Sequence, residues 1–275
     1  MRSLGKISAL LGCLLVATVS FQASAQRSGG FVVDIPDVDN FVVGALGIVP
    51  DYMGSDEYTV GIAPAALLKP WENDRYLRLV ATELSFNLLN HPTWSFGPVV
   101  NYRFPRKDVD DAAVDRMRDI EGAFEFGAFV GWTAVNPKDK RNRFTTSLQL
   151  LQDISDEHEG FLISASARYF LPVSRALTLS AGASLTYGSS DYMQTYFGVD
   201  ADNAARSGLR QFGADGGVRD IRFPLMAIFS LNPKWHITGG AIISLLTGDA
   251  ADSPVVDDRG SSTQIFAGLG VAYAW

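Results

Sequence analysis

The chain has 275 residues with 30 acidic and 23 basic side chains, a formal net charge of −7 and three histidines. This acidic balance argues against nucleic acid as a partner. Beyond the first 25 residues no apolar run approaches the roughly 18 residues of a transmembrane helix, which argues against a helical membrane protein.

The first 25 residues resemble an export signal. Arg2 and Lys6 supply a positive start, Ile7 to Val19 form an apolar core, and Ala23-Ser24-Ala25 is a small-x-small cleavage site. We therefore predict a signal peptide at 1–25, a periplasmic lead-in at 26–40 and a folded domain at 41–275.

The single cysteine lies inside that signal. The stretch Leu10-Leu11-Gly12-Cys13 also resembles a lipoprotein box, but it leaves only about five apolar residues before the cut, against the 7–15 of an apolar signal core. We favour cleavage after Ala25. The mature chain then has no thiol for a disulfide, a nucleophile or a metal site.

The rest of the chain alternates apolar and polar residues with a period of two, which predicts β-strands. Eleven alternating segments start at Phe41, Val60, Tyr76, Trp94, Phe124, Phe144, Phe161, Leu177, Ile221, Trp235 and Ile265. The segment Tyr76 to Leu89 changes phase near Ala81 to Glu83, so it is either one bulged strand or two short strands joined by a turn. Two strands give a total of about 12 and place both termini on one side; 10 is the fallback.

The last segment, Ile265 to Trp275, puts large apolar residues on one face and small residues on the other. Tyr273 and Trp275 end it, and other strand ends also carry aromatic residues. Short turns alternate with long polar loops along the chain. These features predict an all-β, antiparallel, up-and-down transmembrane barrel; the alternative is a soluble sandwich.

Two loops resemble those of the MipA/OmpV family, the MltA-interacting proteins. The first is Pro50-Asp51-Tyr52-Met53-Gly54-Ser55-Asp56-Glu57-Tyr58, which resembles a P-x-Y-x-G-S-D-x-Y motif after the first strand. The second is Gly248-Asp249-Ala250-Ala251-Asp252-Ser253-Pro254-Val255-Val256, which resembles a D-A-x-x-S-P loop before the last strand. The resemblance runs from about Val42 to Trp275, and Met53 departs from an acidic residue that is common in the family.

The resemblance implies a location in the Gram-negative outer membrane, in contact with lipid and lipopolysaccharide. It implies, for some members, a scaffold between a periplasmic murein transglycosylase and a peptidoglycan synthase. Our first hypothesis is therefore a non-enzymatic scaffold or envelope-integrity protein without a cofactor. We expect the barrel-assembly machinery to bind the closing strand with Tyr273 and Trp275.

A narrow pore for small polar solutes or antibiotics is the alternative. The charged or ionisable residues that alternation turns inward are Arg78, Glu83, Arg103, Glu125, Asp153, Arg168, Asp220, Arg222 and His236. Because unpaired buried charge is costly, we expect these side chains to form an ionic network that largely closes the lumen.

A hydrolase is the third hypothesis. His158 is the best candidate for a catalytic base, but it lies in a predicted acidic extracellular loop, and a solvated loop explains it more simply. The carboxylates Asp51, Asp56, Asp249 and Asp252 offer oxygen ligands for a cation, although turn formation also accounts for them. If the first and last strands pair, the two family-motif loops become neighbours.

Overall fold

The computed structural model describes residues 35–275. The predicted signal peptide, Cys13 and residues 26–34 of the lead-in lie outside the described residues. Within the described residues no helix is long and apolar enough to cross a membrane.

The architecture is a closed antiparallel barrel of 12 strands, which confirms the predicted fold and strand number. The strands are β1 Phe41–Pro50, β2 Tyr58–Leu68, β3 Tyr76–Val80, β4 Glu83–Asn87, β5 Trp94–Arg103, β6 Ala123–Val135, β7 Arg143–Asp153, β8 Phe161–Pro172, β9 Leu177–Gly188, β10 Gly217–Ser230, β11 Trp235–Leu246 and β12 Thr263–Ala274. Each strand pairs with its sequence neighbour, and β1 pairs with β12 from Phe41 opposite Ala274 to Ile48 opposite Ala267.

The phase change after Tyr76 is a tight turn between two short strands. Ala81 and Thr82 connect β3 to β4, and Ala81 adopts a positive φ of 52°. The two strands pair from Tyr76 opposite Asn87 to Val80 opposite Glu83. This hairpin therefore covers only part of the barrel height, and β2 pairs with β3 only through residues 65–68.

The two ends of the barrel differ. The start of β1 and the end of β12 lie on the same side of the barrel. The connections on this side are short: 69–75, 88–93, 136–142, 173–176 and 231–234. In outer-membrane barrels this is the periplasmic end. The other end carries the loops 51–57, 104–122, 154–160, 189–216 and 247–262.

Four of these loops pack together, and three of them contain short helices where the sequence predicted only irregular loops. The helices are α1 Ala112–Asp115, α2 Ser190–Phe197, α3 Ala201–Ser207, α4 Asp249–Asp252 and α5 Pro254–Asp257. Side chains of Asp111, Ser189, Asp200 and Ser253 cap the N-termini of α1, α2, α3 and α5. We call the packed loops 51–57, 104–122, 189–216 and 247–262 the cap.

The barrel wall is apolar outside and mixed inside. The predicted outward residues of β12 are exposed, Leu269 to 71% and Val271 to 52%, as expected of a lipid-facing surface. Inside, the side of the lumen formed by β10, β11, β12, β1 and β2 is filled by an apolar cluster. Its members on these strands include Phe41, Val43, Met226, Ile228, Ile242 and Phe266, and Phe170 of β8 packs with them.

The barrel interior as candidate functional site

The remaining side of the lumen is a chamber. It has a volume of about 360 Å³ and is lined by inward-facing residues of β3 to β10. Many of these side chains are short hydroxyls, which leave space that larger residues would fill. Register places four serines in one cross-strand row, with Gly131 between the first two and an arginine at its end: Ser95, Ser147, Ser166, Ser184 and Arg222. We call this the hydroxyl row.

Further hydroxyl and amide groups extend the polar wall on both sides of the hydroxyl row. Gln149, Ser164 and Thr186 are opposite one another on β7, β8 and β9. Towards the periplasm, Thr133 and Thr145 are opposite on β6 and β7. The Oγ atoms of Ser147 and Ser166 lie 2.8 Å apart, so neighbouring hydroxyls hydrogen-bond along the wall.

The chamber has more cationic than anionic side chains. Five arginines line it: Arg78, Arg103, Arg168, Arg219 and Arg222. Glu83 is the one carboxylate among its described lining residues, and its Oε2 accepts a hydrogen bond from Gln149 at 3.0 Å. Glu125 and Asp220 bind arginines of the wall from buried positions, so five arginines stand against three carboxylates.

Glu125 holds one group of buried polar side chains together. Its Oε1 accepts hydrogen bonds from Nε and Nη2 of Arg103 at 2.9 and 2.7 Å. Its Oε2 accepts a hydrogen bond from Asn101 Nδ2 at 2.7 Å. His158 Nε2 is 3.1 Å from Oε1. The carboxylate thus satisfies a cation, an amide and an imidazole, each of which belongs to a buried residue.

Asp220 holds the second group. Its two oxygens accept hydrogen bonds from Nε of Arg219 at 2.5 Å and from Nε of Arg222 at 2.8 Å. Strict alternation would turn Arg219 outward, but the register between β10 and β9 shifts between Val218 and Asp220. This bulge buries the adjacent Arg219 and Asp220 together, so period-two patterning could not have identified Arg219.

His158 is buried, which corrects the prediction of a solvated loop residue. Only 2% of it is exposed, because Asp153 folds the loop back: its Oδ2 accepts hydrogen bonds from the backbone N–H groups of His158 and Glu159. Nδ1 of His158 accepts a hydrogen bond from Gly160 N–H at 3.2 Å, so Nε2 carries the proton that faces Glu125. Both ring nitrogens are engaged, and neither is placed to take a proton from a substrate.

Aromatic residues of α2 form the roof of the chamber. The guanidinium carbon of Arg103 lies 5.0 Å from the ring centroid of Tyr192, and Arg219 Nη1 donates to the Tyr192 hydroxyl at 2.7 Å. Tyr196 packs beside them, and burial raises the pKa of its hydroxyl far above the ordinary value, which keeps it neutral. The buried residues of α2 are spaced at i, i+1, i+4 and i+5, which places them on one face of a helix. This spacing is the signal by which the sequence could have identified them.

A buried arginine in the loop 104–122, Arg106, also supports the roof. Arg106 Nη1 donates to the carbonyl oxygen of Tyr196 at 2.9 Å. Burial lowers the pKa of Arg106 to about 10, which still leaves it protonated at neutral pH. Tyr196 is thereby held at its backbone by Arg106 and at its ring by contact with Arg103, 5.6 Å from the centroid.

The two family-motif loops meet in the cap. Gly54 lies against Val256, and the Gly54 N–H donates to Gln264 Oε1 at 3.1 Å. Tyr52, Ser55 and Ser253 are almost fully buried, and the Ser253 hydroxyl donates to Phe197 O at 2.5 Å. The remaining motif residues also lie in or next to these loops: Asp51, Asp56, Tyr58, Asp249, Ala250, Asp252 and Pro254.

Two of the four loop carboxylates, Asp51 and Asp249, accept hydrogen bonds from backbone N–H groups of other loops. Asp51 Oδ2 accepts from Asp110 N–H at 2.9 Å, and Asp249 Oδ2 accepts from Asp215 N–H at 2.7 Å. Among the described residues no group of three or more His, Cys, Asp or Glu side chains is arranged to hold a metal ion.

The other inward residues lie towards the periplasmic end. Arg78 and Arg168 line the chamber there. His236 is buried, with Nδ1 2.9 Å from the Ser230 hydroxyl. On the outer surface, the ring of Tyr273 packs between Trp235 at 4.9 Å and Trp275 at 6.0 Å.

Comparison with solved structures gives weak similarity to other barrels. The translocator domain of the autotransporter NalP from Neisseria meningitidis has a TM-score of 0.48 at 11% identity and covers 91% of both chains. A NanC porin has a TM-score of 0.46 at 11% identity and covers 86% of this chain and 100% of that chain.

Sequence comparison identifies the family. Outer membrane protein OmpV of Vibrio cholerae is 31% identical over 129 residues, 47% of this chain and 48% of that protein. Omp26La of Vibrio anguillarum is 30% identical over 129 residues with the same coverage, so the match spans about half of each relative. The family described as MltA-interacting protein MipA matches residues 42–275. Since this match spans the entire barrel, the chain belongs to that family and is an outer-membrane β-barrel of the MipA/OmpV type.

Proposed function

We propose that this barrel is a non-enzymatic scaffold or envelope-integrity protein that works with peptidoglycan-remodelling enzymes. The observation that supports this proposal is the cap, which folds over the extracellular side of the lumen. Tyr192, Met193, Tyr196 and Phe197 of α2 are each at most 1% exposed. Loops that only bordered a diffusion channel would not need this buried core.

Contacts between distant loops hold the cap closed. Arg259 donates from Nε and Nη2 to Asp111 Oδ2 at 3.0 and 2.6 Å and so joins the loops 247–262 and 104–122. Gln264 donates from Nε2 to Ser55 O at 2.8 Å and ties the loop 51–57 to β12. With the apolar cluster on the other side of the lumen, these contacts favour a barrel without an open channel.

A hydrolytic function has less support. Outer-membrane hydrolysis needs a nucleophile beside a base, or a base that activates water. His158 donates to Glu125 and accepts from Gly160, and it lies under the roof of α2. In a closed barrel His158 fills interior space and satisfies the hydrogen-bonding groups of Glu125 and Gly160.

A narrow pore is the second candidate function, and the chamber is the observation that favours it. Its polar lining extends from Arg103 and Arg219 under the cap to Tyr76 and Thr133 near the periplasmic end. Transport would then require the cap to open. The proposal and this alternative therefore differ in whether the resting protein conducts.

Single-channel recording in planar bilayers tests the closed barrel. We expect no steady conductance from the full-length protein, because α2 and its neighbours cover the lumen. A variant with residues 190–213 replaced by a short Gly-Ser linker is the control, and we expect it to conduct. Steady conductance of the unchanged protein would overturn the closed-barrel proposal in favour of the pore.

A binding assay with the same purified protein tests the scaffold role. Immobilised barrel is mixed with a purified lytic murein transglycosylase and, separately, with a peptidoglycan synthase. We expect retention of at least one enzyme at the periplasmic turns, with an unrelated outer-membrane barrel as the control. Equal retention by both barrels, or by neither, would contradict the scaffold role.

A further inference from the structure

We propose that the chamber binds a small, hydroxyl-rich solute that carries one oxyanionic group, as a sugar acid or a sugar phosphate does. The solute enters from the periplasmic end, because the cap covers the other. This inference goes beyond the proposed scaffold role and does not depend on it. Three independent features of the chamber support it: charge, hydroxyl content and size.

The charge of the chamber is opposite to that of the protein. The whole chain has a net charge of −7, yet the five arginines of the wall exceed the three carboxylates that lie among or behind them. Low-dielectric walls strengthen the field of such an excess. A solute with a negative group therefore binds in this chamber with a more favourable electrostatic energy than a neutral or cationic solute.

Arg78 is the cation best placed to receive that group. It lines the chamber from β3 and is only partly buried. Among the residues that the structure describes, its guanidinium makes no hydrogen bond or ion pair, whereas Arg219 and Arg222 share Asp220. A guanidinium presents several N–H donors in a planar fork, which matches the two oxygens of a carboxylate or phosphate.

The hydroxyl row supplies the second recognition element. Ser147, Ser166 and Ser184 lie side by side on β7, β8 and β9, next to Arg222 on β10. Ser166 remains exposed although it faces the lumen, so its hydroxyl is accessible to a solute. Each hydroxyl both donates and accepts hydrogen bonds, as the hydroxyls of a sugar do. An apolar solute would leave the hydroxyl groups of this wall without hydrogen-bond partners.

Size limits the solute. A chamber of about 360 Å³ lies near the lower end of the roughly 300–1,000 Å³ of small-molecule pockets. Arg103 and Arg219 under Tyr192 close it towards the cap. We infer one or two sugar rings, and a polymer would have to extend through the periplasmic end.

Titration calorimetry with the full-length protein in detergent tests the inference. The probes are D-glucuronate, glucose 1-phosphate, glucose, glucosamine and inorganic phosphate. We expect D-glucuronate or glucose 1-phosphate to bind at least about tenfold more tightly than glucose or glucosamine, which lack the anionic group. The stronger of the two identifies carboxylate or phosphate as the preferred group.

Variants of the wall locate the site. Arg78→Gln should weaken binding of the preferred probe by about tenfold or more, because a hydrogen bond to a charged group is lost. Arg75→Gln, in the exposed turn before β3, is the matched control and should leave it unchanged. Ser166→Ala should weaken the binding of the sugar anion but not that of inorganic phosphate.

The contrary results are equally specific. Equal affinity for glucose and D-glucuronate would remove the charge argument. Inorganic phosphate that binds as tightly as the sugar anions would remove the role of the hydroxyl row. Absence of binding by all probes, or full affinity in Arg78→Gln, would overturn the inference; retained heat-modifiable gel mobility shows that each variant is folded.

Discussion

Glu125 shows how a single residue of this barrel can organise several others. Arg103, Asn101 and His158 all direct hydrogen bonds at its two oxygens, and the side chains of Arg103 and Glu125 are 2% and 1% exposed. Removing one partner of a buried ion pair leaves an uncompensated charge. The stability of the barrel interior should therefore be sensitive to this carboxylate.

We expect Glu125→Ala to lower the free energy of unfolding by about 3 kcal/mol or more, since Arg103 loses its buried counter-charge. Urea unfolding in phospholipid vesicles, followed by tryptophan fluorescence, measures the change. Glu121→Ala is the control, because the exposed Glu121 pairs with Lys107 at the surface, where such pairs contribute up to about 1 kcal/mol. A similar small loss in both variants would show that the buried pair is not needed.

Gly54 illustrates a residue whose motif position has a steric reason. Its φ is +103°, a region that favours glycine, and a Cβ at this position would lie 2.4 Å from Val256 Cγ2. The first family-motif loop can therefore approach the second only because residue 54 has no side chain. The resemblance identified this glycine, and the contact explains it.

At the scale of elements, the β3–β4 hairpin departs most from a regular barrel wall. Its turn consists of Ala81 and Thr82, and the positive φ of Ala81 corresponds to the first central residue of a type II′ turn, where glycine is preferred. Alanine in this left-handed region is strained. The phase change in the sequence located the turn but left its conformation open.

Replacing that alanine should stabilise the protein. We expect Ala81→Gly to raise the free energy of unfolding by roughly 0.5–1 kcal/mol, because glycine adopts the positive φ without a Cβ clash. Ala181→Gly, in the regular strand β9, should instead lower it by roughly 0.5–1 kcal/mol. The same urea unfolding assay measures both; a loss of stability in Ala81→Gly would argue against the turn as described.

At the scale of the whole molecule, the cap joins loops that are far apart in the chain. Asp111 is central to it: Oδ1 accepts hydrogen bonds from Ala113 and Val114 N–H at the start of α1, and Oδ2 binds Arg259, 148 residues away. Burial alone would raise the pKa of Asp111, but the hydrogen bonds from Arg259, Val114 and Ala113 lower it below its usual range.

The sign of the pH dependence follows from that shift. A carboxyl whose folded pKa is depressed contributes stability above its ordinary pKa of about 3.9, and this contribution is lost as the pH falls through the folded value. We expect wild type to melt at a higher temperature than Asp111→Asn at pH 7, and the difference to shrink as the pH falls below the ordinary pKa of about 3.9. Thermal melts from pH 7 to 2.5 measure this; a difference independent of pH would contradict it.

The sequence alone determined the fold and the membrane-facing surface, and it favoured 12 strands over 10. A period of two assigns each residue of a strand to one face, and the phase change near Ala81 is a local signal that separates β3 from β4. The loops Asp51 to Tyr58 and Asp249 to Pro254 identified the family. All of these signals are carried by residues close together in the chain.

Tertiary structure decided the interior. The bulge at Arg219 comes from the register of two strands, the hydroxyl row from the register of several, and the burial of His158 from a loop folded back by Asp153. The cap depends on contacts such as that of Gly54 with Gln264, 210 residues apart. Alternation gives the face of a side chain but not its partner across the lumen, because the partner is set by barrel closure and loop packing.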